Sequence, residues 1–388
     1  MILGLPNKIR RYCHAKYGGR HHDELIRLFE SGQFEAVLEL YRTRRPFLLP
    51  DERAGQYLVR SLMHLRLQNS HMALDVPEHL SDWLIMLTAR IEGETAKANA
   101  LFRQKIASAD RSDTFIKRFF LGNYFGLTVD HETMHACLDR LVFGLDPRHF
   151  GLARRRTEMP FTSLFVSGVP RSGTTALGRL LNTSPDIELY HELYPARVGY
   201  TAQMFDPRLM PSLVERRYEP EKRPVINADP NLLFRGDKRP LFLNSWSVTQ
   251  RNFDPRQIRI IHIVRDPRNV AASYEKRRGR ALTGKRNWDA DRGSWHAESD
   301  LQLNRQTLER VQQSEFASAI KVVPFRKALC SMDTVREMHD FIGARLDVEA
   351  AKASIDRSIA FLERAKVEQK PLRFLSEDDR AWYDANAN

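Results

Sequence analysis

The stretch Gly168-Val169-Pro170-Arg171-Ser172-Gly173-Thr174-Thr175 constrains this chain more than any other. It follows an apolar, β-favouring run over residues 161–169 and opens a helical run over 174–182. A strand, a glycine turn and a helix in that order present backbone N–H groups and a helix N-terminus to an anion. The glycine spacing is the G-x-x-x-x-G of a phosphate-binding loop, whose next residue in an ATP-binding protein is a lysine that reaches the outer phosphates. Here that residue is Thr174, and the cation is Arg171, inside the loop. The candidate anion cradle is therefore Arg171, Ser172, Gly173, Thr174 and Thr175. A kinase or NTPase of the usual kind would lack its lysine and stands as the nearest enzymatic rival. A plain strand–helix turn is the alternative without a ligand.

A second unit of the same kind lies downstream. Residues 257–264 carry Ile258, Ile260, Ile261, Ile263 and Val264, and a helical run follows over 269–278. Strand-then-helix units predict an α/β fold, a P-loop-like parallel sheet flanked by helices. Ligands of such sheets bind beyond the carboxyl ends of the strands. The texture before residue 150 differs. Leu25, Leu28 and Phe29, then Phe34, Val37, Leu38 and Tyr41, recur at helical spacing on either side of Ser31-Gly32-Gln33. This segment resembles a tetratricopeptide repeat, with a weaker echo over 83–106. An irregular helical cap fits equally well. Arg154-Arg155-Arg156 and Pro160 mark the boundary, giving an all-α, TPR-like module over 1–155 and an α/β domain over 156–388.

The loop and its continuation, Leu180-Leu181-Asn182-Thr183-Ser184-Pro185-Asp186-Ile187, resemble the 5′-phosphosulfate loop of the sulfotransferases. Arg265-Asp266-Pro267-Arg268-Asn269-Val270-Ala271-Ala272-Ser273-Tyr274 resembles that family's 3′-phosphate motif. The order and context of the two motifs imply a P-loop-like fold and a bacterial or tyrosylprotein-sulfotransferase-like enzyme. Its donor would be 3′-phosphoadenosine-5′-phosphosulfate (PAPS), with adenosine 3′,5′-bisphosphate (PAP) as product and no metal required. Arg265 would offer a bidentate fork and Ser273 a hydroxyl to the 3′-phosphate. The resemblance further implies Glu192, in Tyr190-His191-Glu192-Leu193, as the base for the acceptor hydroxyl, with His191 and His262 as rivals. Gly236-Asp237-Lys238-Arg239-Pro240 resembles the family's Gly-Asp-Lys-Thr-Pro segment, which implies that Lys238 faces the transferring sulfuryl group; Arg239 stands where Thr is more frequent. Phe325-Arg326-Lys327-Ala328-Leu329 departs from the family's Tyr-Glu-Asp-Leu, so no nucleotide contact is assigned there. The resemblance covers about residues 160–350 and leaves out the N-terminal part.

The formal charge of +12 over 388 residues favours anionic partners. No nucleic-acid-binding pattern accompanies it. The expected partner is an acceptor glycan, lipid or other hydroxyl compound, which an acidic character would suit. The basic stretch Lys276, Arg277, Arg278, Arg280, Lys285 and Arg286 could hold such charges, although a solvated face is the default. Three separated cysteines, Cys13, Cys137 and Cys330, fit a reducing compartment. With no long apolar run, the expectation is a cytoplasmic protein. Its N-terminal cations, Lys8 to Arg20, could touch an acidic inner-membrane surface, although a solvated basic tail is the default. His131-Glu132-Thr133-Met134-His135 matches the H-E-x-x-H of zinc proteases. It lacks the longer continuation and is read as coincidence, so no metal site is assigned. A zinc protease and a non-catalytic helical scaffold complete the rival functions. The acceptor and the oligomeric state are not legible.

Overall fold

The computed structural model describes residues 24–25, 27–29, 31–48, 94–108, 158–194, 200–215, 218, 220–282, 294–364, 369–372 and 375–387. The chain divides into two units, Met1–Met134 and His135–Asn388. The H-E-x-x-H pattern, the Arg154–Arg156 run and Cys13 and Cys137 lie outside the described residues.

In the first unit, the helical pattern of Leu25 to Tyr41 folds as a helix–turn–helix. Residues 24, 25 and 27–29 are helical, and α1 runs Phe34–Leu48. Gly32 closes the first segment at φ 77°. Its N–H donates to Phe29 O and that of Gln33 to Leu28 O, the paired bonds of a Schellman turn. Leu25, Phe29, Phe34, Val37 and Leu38 are buried, with the two phenylalanine rings edge to face at 5.7 Å. The weaker echo contributes α2, Thr95–Ser108; its first half lies outside the described residues.

The second unit is built on five strands: β1 Thr162–Ser167, β2 Ile187–His191, β3 Phe234–Lys238, β4 Ile258–Val264 and β5 Ile320–Pro324. Their order is β2-β3-β1-β4-β5, and every pair is parallel. A parallel sheet must be covered on both faces, which explains the near-continuous burial of β1 and β4. Side chains alternate between the two layers. Leu164, Val166, Ile261 and Ile263 pack under α3 (Thr174–Leu181), α6 (Phe325–Cys330), α7 (Met332–Ile342) and α8 (Val348–Arg364). Phe165, Ile258 and Ile260 face the aromatic side, with Tyr200, Phe205, Phe242 and Trp246. Phe165 stacks on Phe242 at 4.1 Å. Removing that ring should cost about 3–5 kcal/mol. Two further helices follow β4, α4 (Pro267–Leu282) and α5 (Ser294–Gln312), and α9 (Glu377–Asn386) closes the described chain. Among the described residues no helix is long and apolar enough to cross a membrane.

The segment between α3 and β2 is held by its own side chains. Asn182 bridges to β2 in both directions, donating from Nδ2 to Leu189 O and accepting the Leu189 N–H, each at 2.7 Å. Asp186, buried, accepts the Arg345 backbone N–H at 2.7 Å and its Nε at 2.9 Å. The Arg345 guanidinium holds that carboxyl below its ordinary range. These contacts tie α3, β2 and the end of α7 together, which fixes the direction in which α3 leaves the loop.

Candidate active site

Most of the sequence-predicted site residues lie at the carboxyl end of a strand or just beyond it. The loop 168–173 follows β1, Glu192 follows β2, Lys238 ends β3, and Arg265 follows β4. Phe325 follows β5, and Ser273 lies two turns into α4. The strand order reverses direction around β1, so its loop opens into the crevice where parallel sheets take ligands.

The loop is a tight cradle. Ser172 N–H donates to Val169 O at 3.0 Å, and Gly173, at φ 100°, caps α3. A Cβ on Gly173 would lie 2.5 Å from the Phe325 ring, so both conformation and space demand glycine. Arg171 is not glycine yet sits at φ 74°, a strained setting that turns its carbonyl toward β4. That carbonyl accepts Arg265 Nη1 at 2.9 Å. Arg171 Nε in turn donates to Ser273 Oγ at 2.9 Å. The two separate motifs thus become one cluster. The Arg265 guanidinium stands 4.5 Å over the Phe325 ring. Burial pulls its pKa below the ordinary arginine value, opposed by the Asp266 charge. Asp266 itself caps α4, accepting the Arg268 N–H at 2.7 Å.

Two polar atoms here are buried without a hydrogen-bond partner, Ser172 Oγ and Arg265 Nε. Buried polar groups are normally paired, so both suit a ligand with anionic oxygens. A cavity of about 570 Å³ opens beside them. Arg171, Thr174, Thr175 and Arg265 line it, as do Arg179 of α3, Phe325 and the Arg357, Ser358 and Phe361 side chains of α8. Among exposed large apolar residues, Phe361 is 66% accessible. The α8 residues were not singled out from the sequence. Their spacing reads as an ordinary amphipathic helix, and no local pattern marks the one face that meets the loop.

The second cluster joins β2 and β3. Lys238 Nζ donates to Glu192 Oε1 at 2.6 Å, and Arg239 Nη1 lies 3.7 Å from Oε2. Lys238 is buried whereas Glu192 is half exposed. Burial pushes the Glu192 carboxyl up, but the Lys238 hydrogen bond and the Lys238, Arg239 and His191 charges outweigh it and hold the group below its ordinary value. Glu192 also sits at φ 59°, with its N–H donating to Lys238 O at 3.1 Å. Gly236 lets β3 lie close against β1: a Cβ there would lie 1.7 Å from Leu164 O. Gly178 of α3 makes room for the Lys238 stem, whose Cβ and Cγ would be 3.2 Å from a side chain at that position.

The rival bases separate cleanly. His262 is buried within the sheet, where desolvation drives its pKa down to about 4 against a hydrogen bond with Asn304 that raises it. It reaches no open surface. His191 lies beside Glu192, and burial followed by the Lys238 and Arg179 charges lowers its pKa. The Gly236–Lys238 segment belongs to a fully buried strand. Of the basic stretch after Ser273, Lys276 is exposed on α4, and residues beyond 282 lie outside the described ones. Among the described residues no group of three His, Cys, Asp or Glu could hold a metal ion.

Residues 161–281 match the family model of the sulfotransferase domain. No curated protein matches the chain. Among solved structures, the chain is similar to the sulfotransferase domain from the curacin biosynthetic pathway at 16% identity and TM-score 0.36, covering 59% of this chain and 98% of that one. It is similar to sulfotransferase STF9 from Mycobacterium avium at 15% identity and TM-score 0.36, covering 84% and 94%. Mouse sulfotransferase SULT7A1, solved in complex with PAP, follows at 13% identity and TM-score 0.30, covering 66% and 87%.

Proposed function

From the premise that this chain carries a sulfotransferase-family domain, we propose that it moves a sulfuryl group from PAPS to an acceptor hydroxyl and releases PAP. The observation that carries this reading is the junction of Arg171, Ser273 and Arg265, with the Lys238–Glu192 pair at the carboxyl ends of the neighbouring strands β3 and β2. A donor with phosphates on both its 5′ and 3′ positions needs two anion sites close together, whereas ATP needs one.

The donor supplies an activated sulfuryl group on a phosphate leaving group. The residues of the chain bind and orient it. Arg171 and the N–H groups of Ser172 to Thr175 hold the 5′-phosphate, and Arg265 with Ser273 holds the 3′-phosphate. The partnerless Ser172 Oγ and Arg265 Nε are the atoms best placed to gain a bond on binding. Sulfuryl transfer, like phosphoryl transfer, has a charge-rich, loose transition state that positioned cations stabilise. Lys238 fills that role as a point charge, held by Gly178 below and Glu192 ahead. Glu192 takes the acceptor proton, since it is ionised at neutral pH and half exposed to an incoming hydroxyl. The scheme invokes no metal.

A glycan or lipid-linked sugar is the first choice of acceptor, and a peptide tyrosine or small phenol the second. We place the protein in the cytoplasm, with peripheral contact at the inner membrane as an extension, and divide it into a helical module over 1–155 and a donor-binding domain over 156–388. The test is twofold. PAP should raise the melting temperature where ATP with Mg²⁺ does not. Radiolabelled sulfate from PAPS should then appear on one member of a panel of glycans, lipids and peptides. Equal stabilisation by ATP would move the reading to a kinase or NTPase.

A further inference from the structure

We infer that Asp237 is the positioning residue that sets the Glu192 carboxylate against Lys238. The inference rests on the reading of Glu192 as the acceptor base, and its geometry stands apart from that reading.

Asp237 and Lys238 are consecutive on β3 and therefore point to opposite faces of the sheet. Together they grip two consecutive amides. Lys238 O accepts the Glu192 N–H at 3.1 Å, and Asp237 Oδ1 accepts the Leu193 N–H at 3.3 Å. The residue caught between these bonds, Glu192, is in the left-handed region, a setting that is unfavourable for a non-glycine residue and persists only where the surroundings hold it. The other carboxylate oxygen, Oδ2, accepts the Tyr200 hydroxyl at 3.2 Å. Tyr200 is buried among Phe165, Phe205 and Phe242, so the acid is anchored from the aromatic side. Asp237 is fully buried. It touches no open surface and cannot meet donor or acceptor, so it must act through another group. Desolvation lifts its carboxyl to about 6, against the nearby Arg239 charge, the Leu193 and Glu192 N–H groups and the Lys238 charge. An isolated acid at this place would weaken the core, which points to a task beyond packing.

The experiment reads the Glu192 carboxyl directly. Selective ¹³C labelling of glutamate, with the resonance assigned by Glu192→Gln, follows its titration in the full chain and in Asp237→Asn, Asp237→Ala and Asp237→Ser. In the unaltered protein the carboxyl should titrate below the ordinary glutamate value. Asp237→Asn keeps an oxygen for the Leu193 N–H, and Glu192 should stay low. Asp237→Ala and Asp237→Ser remove that acceptor at this reach, and Glu192 should return toward its ordinary value. Calorimetric affinity for PAP should stay within about twofold in all of them, because none touches the donor cluster. A purely structural role would lower the melting temperature and leave the Glu192 titration in place. An unmoved Glu192 in a folded Ala or Ser variant overturns the inference. So does fast hydrogen exchange of the Leu193 amide in the unaltered protein, a reading that needs no variant. Full turnover in Glu192→Gln would instead sink the catalytic reading, and it would leave the titration result standing.

Discussion

Arg171 donates from Nε to the Ser273 hydroxyl at 2.9 Å, linking residues 102 positions apart in the chain. The bond makes the loop after β1 and the helix after β4 a single binding element. Its two members should therefore not act independently. Ser273→Ala and Arg171→Lys are each expected to weaken PAP by about 1–3 kcal/mol, the range of a charge-assisted hydrogen bond. The double variant should lose clearly less than the sum, as residues sharing a bond do. Isothermal calorimetry with PAP measures all four corners. Strict additivity would show that the bond is incidental to binding.

Arg265 sits between the Arg171 carbonyl and the Phe325 ring. Arg265→Ala should reduce PAP affinity by at least about tenfold, one charged contact's worth, and leave any ATP binding almost untouched. The two nucleotides are compared in one competition assay. Equal losses would mean that Arg265 merely supports the loop.

Glu192→Gln keeps shape and removes the charge. PAP affinity should persist, and sulfuryl transfer should fall by about 10²–10⁴, the usual worth of general-base catalysis. The pH profile adds a second check. Because Lys238, Arg239 and His191 hold the carboxyl below its ordinary value against burial, the base form survives to lower pH than a free glutamate. The acid limb of kcat/KM should thus lie below about 4.5. A limb above the ordinary glutamate value but below the ordinary imidazole value would assign the proton to His191, whose own pKa burial and the Lys238 and Arg179 charges lower.

Asp237 makes an opposite prediction for stability. Its folded-state pKa, about 6, lies above the ordinary aspartate value of 3.8, so the folded chain binds the extra proton between those values. Stability from this group is therefore greatest below about pH 4 and is lost as pH rises through 6. The shift corresponds to about 3 kcal/mol as an order of magnitude. Asp237→Asn should flatten that part of the melting-temperature profile. An unchanged slope between pH 4 and 7 would show that the group does not titrate there.

Two glycines should respond differently to the same change. Gly236→Ala places a methyl 1.7 Å from Leu164 O, inside the sheet, where nothing can yield. Its expected cost is above about 4 kcal/mol, seen as loss of a cooperative melt. Gly178→Ala meets Lys238 Cβ and Cγ at 3.2 Å and His191 Cε1 at 3.8 Å, so the lysine stem must yield by a few tenths of an ångström. Alanine favours the helix by up to about 1 kcal/mol, so stability should hold while turnover drops through a displaced ammonium. Calorimetric melting and single-turnover transfer distinguish the pair.

How far the sequence carried these results depends on whether a pattern was local. β1 and β4 are buried on both faces and read as apolar runs, and the glycines of the loop mark its turn without ambiguity. β2 and β3 were not recognised as strands. Ile187–His191 holds Glu188 and His191, and Phe234–Lys238 holds Arg235, Asp237 and Lys238. Charges in a buried strand make sense only with their partners, such as Glu188 with Arg235 at 2.9 Å. Those partners lie about fifty residues away. The same reason hid Arg357 and Phe361, whose closeness to the loop depends on how α8 packs. The Asn269–Arg278 expectation fell short of the full helix, Pro267–Leu282, because Asp266 and Pro267 supply the start themselves.

The sheet also acts as a measuring scale. Lys238 is level with His191 on one side and with Val166 on the other, and Val264 is level with Pro324. Spacing between the groups at the strand ends is thereby fixed in steps of about 3.3 Å along the strands. Changes in the connecting segments leave that spacing in place where they spare anchors such as Tyr200, which donates to Asp237 from between β2 and β3. A slip of one residue in β3, by contrast, would turn Lys238 to the aromatic face and Asp237 to the helix face. Tolerance to change in this domain should therefore follow register, with distance from the crevice a poor guide.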